Sequence, residues 1–325
     1  MLIEVKHLSK RYGNHQALSD LSFSIEKGQI YGFLGPNGAG KSTTMNIMTG
    51  CLAATDGSVT IDGFDIFEDA DEAKKRIGYL PELPPLYLDR SPREYLTFVA
   101  QAKKVPASQR KAEIQRVMEV TQIADVADRL IKNLSKGYKQ RVGIAQAILG
   151  DPEVIILDEP TVGLDPKQIM EIRDLILQLG KSHTVILSSH ILSEVQAICQ
   201  TILIISKGKL VACDTPENLE KLFAGSTTVE LMVECEKGKL QQILSCISGI
   251  ASSQINELED GCCSVRLESS RSDDKALCRE IFFAFAKAQT AILQQTVAKA
   301  SLEDIFIELT TTHAAPKEEK EADAE

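Results

Sequence analysis

Gln29-Ile30-Tyr31-Gly32-Phe33-Leu34 runs directly into Gly35-Pro36-Asn37-Gly38-Ala39-Gly40-Lys41-Ser42-Thr43, and then into Thr44-Met45-Asn46-Ile47-Met48-Thr49 before Gly50. The first segment is a short apolar strand. The last is compatible with a helix that stops at glycine. Between them lies G-x-x-x-x-G-K-[ST], the phosphate loop, in the strand–loop–helix context it requires. Its glycines let backbone N–H groups turn inward as an anion cradle, and the helix start adds its positive dipole end. Lys41 is placed to reach the β- and γ-phosphates of a nucleotide, and Ser42 to hold Mg²⁺. The plain alternative, a glycine-rich turn before an ordinary helix, does not need the lysine or the hydroxyl.

The rest of the composition sets limits. A chain of 325 residues has room for one large or two ordinary domains. A net charge of −10 argues against a dedicated nucleic-acid binder, so no nucleic-acid partner is expected. The eight cysteines contain no C-x-x-C pair, and only Cys262-Cys263 are adjacent. That pattern fits free thiols in a reducing compartment better than a disulfide frame or a zinc site. No secretory leader precedes Leu2-Ile3-Glu4-Val5, and no apolar run approaches the ~18 residues of a membrane span. The expectation is a soluble cytoplasmic protein whose link to a membrane runs through a partner.

Along the chain, Leu2–Leu8 reads as an edge strand broken by Ser9-Lys10-Arg11-Tyr12-Gly13-Asn14. Leu21, Phe23 and Ile25 fall on one face of a second strand, and Val59-Thr60-Ile61 before Asp62-Gly63 makes another. Ile77–Leu80 is a strand running into a proline-broken loop. Ser91-Pro92-Arg93-Glu94 is a strong helix start, with Ser91 as cap and Glu94 closing a capping box. Helical spacing then continues to about residue 150, so 90–150 reads as a helical subdomain inside an α/β domain. Strand and helix alternate again from Val154 to about residue 222: helix 166–179, strand Thr184–Leu187, helix Leu192–Ile198, strand Thr201–Ile205, helix 214–222. Residues 225–310 follow a βαββαβ order, which suggests a small ferredoxin-like α+β module, closed by a helix that Ser301 would cap. Residues 311–325 read as an acidic disordered tail.

A phosphate loop alone says only "nucleotide". Val154-Ile155-Ile156-Leu157 is an apolar strand ending in Asp158-Glu159. A carboxylate at such a tip can hold the Mg²⁺ shell, the role for Asp158. Glu159, one residue on, is free to act as base toward a water attacking the γ-phosphate. Taken alone this is equally a strand followed by an acidic turn.

Further motifs carry a resemblance. Leu134-Ser135-Lys136-Gly137-Tyr138-Lys139-Gln140-Arg141 precedes the acidic strand by one helix, Gly163-Leu164-Asp165-Pro166 follows it, and Ser188-Ser189-His190 ends the next strand. In this order, residues 1–222 resemble the nucleotide-binding subunit of ABC transporters, and the match is close to bacterial exporter ATPases, including the gliding-motility-associated type. The fold implied is the P-loop α/β domain of ABC ATPases, with the small α+β module appended.

The resemblance implies a chain that binds and hydrolyses ATP with Mg²⁺ and drives a separate membrane permease, peripheral to the inner face of the membrane. Gly35, Pro36, Asn37, Gly38, Ala39, Gly40, Lys41, Ser42 and Thr43 would bind the phosphates, and Tyr12 would stack on adenine. Asp158 would join the Mg²⁺ site, Glu159 would be the base, and His190 would contact the γ-phosphate. Ser135 and Gly137 match the signature loop that closes over the ATP of an opposite subunit, in a homodimer or a heterodimer. Read without the family, Asn133-Leu134-Ser135 is a helix cap, and Asp165 is either a cap or part of the dimer seam. Lys136 and Tyr138 depart from the usual signature, and Glu82 stands where the lid residue is usually glutamine. An acid there can accept from water or bind Mg²⁺, at the cost of negative charge near a triphosphate. Leu83-Pro84-Pro85-Leu86-Tyr87 beyond it is a candidate contact surface for the permease. Two other readings share the motifs: a non-transport ATPase of translation or DNA repair, and a regulatory module that ATP switches.

Overall fold

The computed structural model describes residues 1–223, 227–258, 261–269 and 274–298. They divide into two compact units, one from Met1 to Pro216 and the other beginning at Glu217. The expected helix at 301–309 and the expected tail at 311–325 lie outside the described residues.

The first unit opens with β1 (Ile3–Tyr12), β2 (His15–Ile25), β3 (Ile30–Leu34) and α1 (Lys41–Met48). β4 (Asp56–Ile61), β5 (Phe64–Asp65), α2 (Ala70–Lys75) and β6 (Ile77–Leu80) follow. Three longer helices come next, α3 (Pro92–Ala102), α4 (Ala107–Val120) and α5 (Lys136–Ile148). The chain then alternates through β7 (Val154–Leu157), α6 (Pro166–Leu179), β8 (Thr184–Ser189), α7 (Leu192–Gln196), β9 (Thr201–Ser206) and β10 (Lys209–Asp214), and α8 (Pro216–Phe223) opens the second unit.

Two sheets result. One is antiparallel in the order β2-β1-β4-β5, and the other runs β10-β9-β3-β8-β7-β6. In the second, β9, β3, β8, β7 and β6 are parallel and β10 returns antiparallel on the edge. Every residue of β3, β7 and β8 is buried, as strands covered on both faces require. Burying each Ile or Leu of β7 is worth roughly 1.5–3 kcal/mol before chain entropy is counted. One apolar cluster joins both sheets, from Ile3 and Leu21 through Phe33 and Met45 to Ile156 and Leu203.

β1 departs from the sequence expectation. It lies between β2 and β4, not at an edge, and continues to Tyr12. Its pairing with β2 shifts register between Val5 and Leu8, Leu8 and Lys10, and Lys10 and Arg11, with His7 at φ 52°. Such bulges break the two-residue burial period, so the strand looks finished early in the sequence. β10 and α2 leave equally little pattern: β10 has no fully buried residue, and α2 buries only Ala73.

Helices α3, α4 and α5 occupy the segment after β6. Ser91 Oγ accepts from the Glu94 N–H at 3.3 Å, and the Ser91 N–H donates to Glu94 Oε2 at 3.0 Å, which completes the capping box of α3. On α4, Ile114, Val117 and Met118 are buried. The Lys103 ammonium donates to the carbonyls of Gln146, Ala147 and Leu149 at 2.9, 2.9 and 2.7 Å, closing the C-terminal end of α5.

The second unit contains β11 (Thr227–Glu234), α9 (Lys237–Ser245), β12 (Ile250–Glu257), β13 (Cys262–Ser269), α10 (Asp274–Lys287) and β14 (Ile292–Ala298). Its sheet order is β12-β13-β11-β14, antiparallel throughout. A separate core forms here, with Val229, Leu231 and Val233 against Leu240, Leu277, Ile281 and Phe285.

Candidate functional site

The carboxyl ends of β3, β8 and β7 lie side by side, because β3 pairs with β8 up to Leu34↔Ser189 and β7 pairs with β8 up to Leu157↔Leu187. The phosphate loop leaves β3, the Asp158-Glu159 pair leaves β7, and Ser188-Ser189-His190 ends β8 between them. Ligands of open parallel sheets bind at such ends.

The loop is shaped by two tight glycines. Gly40 has φ 108°, and a Cβ on it would fall 2.6 Å from Leu18 Cδ2 and 3.1 Å from the Ala17 carbonyl oxygen. At Gly35 a Cβ would meet the Ile205 carbonyl oxygen at 2.4 Å. α1 starts at Lys41 without a side-chain cap, so its first N–H groups face the loop. Gly50, at φ 67°, ends the turn that follows α1, its N–H donating to the Ile47 carbonyl at 2.9 Å. The Lys41 ammonium donates to the Gly35 carbonyl at 2.8 Å and lies 3.4 Å from Glu159 Oε1.

Opposite the loop, Glu159 adopts φ 48°, a left-handed conformation uncommon for a side chain of this size. Its N–H donates to Ser188 Oγ at 2.7 Å, and Ser188 Oγ donates to Asp158 Oδ1 at 2.6 Å. One buried hydroxyl therefore fixes both acids. Glu159 Oε2 lies 2.9 Å from His190 Nδ1. Against an ionised carboxylate, which only accepts, Nδ1 would be the donor of this bond. Burial, with the Asp158 charge behind it, pushes the Tyr79 hydroxyl well above its ordinary range, so it stays a donor to Asn46 Oδ1 at 3.1 Å.

A cavity of about 490 Å³ lies between these groups. Tyr12, the loop from Pro36 through Asn37, Gly38, Ala39, Gly40, Lys41 and Ser42 to Thr43, Glu82, Glu159 and His190 all line it. Gly35 sits beneath as the carbonyl partner of Lys41. Asp158, 3 % exposed, stands behind Glu159 on the same strand end and does not line the cavity. Tyr12 is 48 % exposed, with the Lys10 ammonium 5.2 Å from its ring centroid. Ser135 and Gly137 stand apart from this cavity. Ser135 caps α5, its Oγ accepting from the Tyr138 N–H at 3.4 Å, and a Cβ on Gly137 would meet Gln168 at 2.7 Å. Tyr138 donates to Asp125 Oδ2 at 2.9 Å, which ties the start of α5 to the turn before it. A larger groove of about 930 Å³ lies between α2 and α4, around Lys74, Lys103 and Glu113. It holds none of the motif residues, so size alone does not mark the chemistry.

His15, Ala17 and Val162 also line the smaller cavity without belonging to any motif. Ser188 was equally invisible as a ligand of the acids, although the hydroxyl run before His190 was in plain view. Among the described residues no group of three His, Cys, Asp or Glu side chains is poised to hold a metal ion by itself.

A strand–loop–helix phosphate cradle facing a strand-end acid defines a nucleoside-triphosphate-binding ATPase domain. The family described as "ABC transporter" matches residues 18–162. The linearmycin resistance ATP-binding protein LnrL of Bacillus subtilis is 29 % identical over 310 residues, covering 95 % of this chain and 98 % of LnrL. The bacitracin transport ATP-binding protein BcrA of Bacillus licheniformis is 40 % identical over 212 residues, 65 % of this chain and 68 % of BcrA. Among solved structures, the dimeric post-hydrolysis state of the ATP-binding cassette MJ0796 bound to ADP and Pi superposes with a TM-score of 0.60 at 25 % identity, over 66 % of this chain and 98 % of that one. The chain belongs to the ATP-binding subunits of ABC transporters. It binds ATP and hydrolyses it to energise transport. Subunits of this kind dimerise and work with a permease, and among the described residues no helix is long and apolar enough to cross a membrane.

Proposed function

We propose that this chain powers an exporter from the cytoplasmic face of a membrane, through a permease that it does not itself contain. The observation that carries the reading is the meeting of Lys41, Glu159 and His190 at one wall of the phosphate-loop cavity. The similarity to LnrL and BcrA, named for linearmycin resistance and bacitracin transport, supports export.

In this reading the loop N–H groups and Lys41 hold the β- and γ-phosphates, and the exposed Tyr12 ring stacks on adenine. Glu159 takes a proton from the attacking water, and the His190 N–H keeps its carboxylate turned toward the cavity. Ser42, Asp158 and Glu82 are the hard oxygen donors that would hold Mg²⁺. Mg²⁺ at phosphates takes one or two carboxylates plus substrate oxygens, which this donor set can supply. Bound there, Mg²⁺ would neutralise charge on the phosphate oxygens.

Ser135 and Gly137, away from the chain's own cavity, serve the nucleotide of a second subunit. The N–H groups at the start of α5 suit an anionic oxygen. Leu83 is 83 % exposed in the loop after Glu82, and Tyr87 packs against Phe98 with ring centroids 5.3 Å apart. These apolar groups form the permease contact. We take residues 1–222 as the ATPase domain, with 90–150 as its helical subdomain, and 225–310 as an accessory domain. The order β12-β13-β11-β14 with βαββαβ succession supports reading that domain as ferredoxin-like.

The test is turnover per chain against dilution. Cleavage across a dimer requires the rate per molecule to fall as dimers dissociate, and a flat rate down to strict monomers would sink the proposal.

A further inference from the structure

We infer that Glu194 is a positioning residue for ATP cleavage: its buried carboxylate gathers the hydroxyls of Thr161 and Ser189, and through them fixes the spacing of Glu159 and His190. The inference rests on the reading of Glu159 as base.

Glu194 lies in the first turn of α7, beyond the residues that line the nucleotide cavity. It is nonetheless only 5 % exposed. Burying a carboxylate is costly unless hydrogen bonds replace its water. Here Oε2 accepts from Thr161 Oγ1 at 2.6 Å and from Ser189 Oγ at 3.2 Å. Both donors are themselves buried, Thr161 at 6 % and Ser189 at 1 % exposure. Ser189 Oγ also accepts from the Ile191 N–H at 3.0 Å, so the hydroxyl holds the backbone on the far side of His190.

The sequence positions of these donors give the contact its meaning. Thr161 is in the turn that begins at Glu159, where the Val162 N–H donates to the Glu159 carbonyl at 3.2 Å. Ser189 directly precedes His190. The Glu159–His190 contact of 2.9 Å joins two loops that leave different strands, and nothing in β7 or β8 alone sets their separation beyond Leu157 and Leu187. Ser188 closes the near side of this gap by holding Asp158 and the Glu159 N–H. Glu194 closes the far side. A shift of about 1 Å at a reacting group costs on the order of a hundredfold in rate, so a clamp of this kind is read in turnover more than in binding.

The experiment uses the full-length chain at concentrations where turnover per molecule has reached its plateau. Glu194→Met keeps the length of the side chain and removes the acceptor; the expected result is a fall in kcat of about ten- to a hundredfold. Its ATP dissociation constant stays within about threefold of the wild type, because the phosphate loop is untouched. Glu194→Gln retains a carbonyl acceptor for both hydroxyls and restores kcat to within about threefold. Thr161→Val with Ser189→Ala reproduces the loss, and adding Glu194→Met to that pair lowers kcat no further. Wild-type kcat in Glu194→Met overturns the inference, as does an equal loss in Glu194→Gln and Glu194→Met. Should Glu194→Met not fold, the Thr161→Val, Ser189→Ala pair decides the matter: wild-type turnover there overturns the inference equally. An inactive wild-type chain would instead remove the reading of Glu159 on which it stands.

Discussion

Lys41 Nζ and Glu159 Oε1 lie 3.4 Å apart, with side chains only 6 % and 8 % exposed. The lysine that would meet the γ-phosphate and the acid that would activate water are thus charge partners in a buried place. Removing one member of such a pair strands the other's charge.

Two substitutions separate the roles. Lys41→Met leaves Glu159 with His190 as its remaining partner, and the expected cost is about 3–5 kcal/mol of stability together with loss of ATP binding. Glu159→Gln keeps a polar group against Lys41 and His190, so ATP binding survives. Turnover falls by about 10²–10⁴, and the chain accumulates as an ATP-held dimer. Denaturant unfolding and nucleotide titration of the two variants check the contrast. Normal turnover in Glu159→Gln would take this residue out of the base role.

Ser188 is a less obvious dependency. It is fully buried and is the hydroxyl bonded to both Asp158 and the Glu159 N–H. Ser188→Ala leaves an acid and an amide without their partner, a cost of about 1–3 kcal/mol. Because the same bonds aim the two acids, kcat should fall by more than tenfold while ATP affinity changes little. Parallel unfolding curves and steady-state kinetics measure both; a stability loss with unchanged kcat would make Ser188 a packing residue only.

Much of this arrangement was readable before the structure, and what was not shares a cause. The phosphate loop, the β7 acids and the capping box of α3 are local: consecutive residues with fixed spacing, whose geometry the sequence itself imposes. β1 was misread as an edge because three register shifts hide its period, a property of its pairing with β2 and not of its residues. Val162 and Ser188 reach the site because β3, β8 and β7 end side by side, and His15 reaches it from β2 in the other sheet; both are matters of long-range sheet order. The role proposed for Ser135 and Gly137 rests on family likeness alone, because no contact within one chain points to a nucleotide for them.

The pH dependence of stability has one clear source in the helical segment. Burial pushes the Lys103 ammonium down to about 8 from its ordinary value of 10.5. Between those values the unfolded chain binds more protons than the folded one, so this group makes stability rise with pH from about 8 to about 10.5. Below that window the cost of keeping the partly desolvated ammonium charged is fully present. Lys103 as a residue is solvent-exposed and only its ammonium tip is desolvated against the α5 carbonyls, so screening leaves the expected rise at about 1 kcal/mol or less between pH 7 and 10. Lys103→Gln should abolish it, seen as the difference between the wild-type and variant unfolding free energies across that range. A difference that is flat, or that slopes the other way, would show that the three carbonyls around the ammonium outweigh its burial.

Glu82 poses the sharpest question about the nucleotide itself. It lines the same cavity as Glu159 and replaces the glutamine usual at the lid. If its charge acts on the phosphates directly, it repels them, and Glu82→Gln should tighten ATP binding. If it acts as a hard oxygen donor to Mg²⁺, Glu82→Gln should leave ATP affinity unimproved and raise the Mg²⁺ concentration needed for half-maximal turnover. A carboxylate binds Mg²⁺ far better than an amide oxygen does, and Mg²⁺ at phosphates takes only one or two such ligands. Glu82 lines the cavity itself, so it can be one of them alongside Asp158. The expected outcome is therefore the second, a severalfold rise in the Mg²⁺ requirement. Titrating Mg²⁺ at fixed, saturating ATP reads it directly, and an unchanged midpoint with tighter ATP binding would assign Glu82 to repulsion instead.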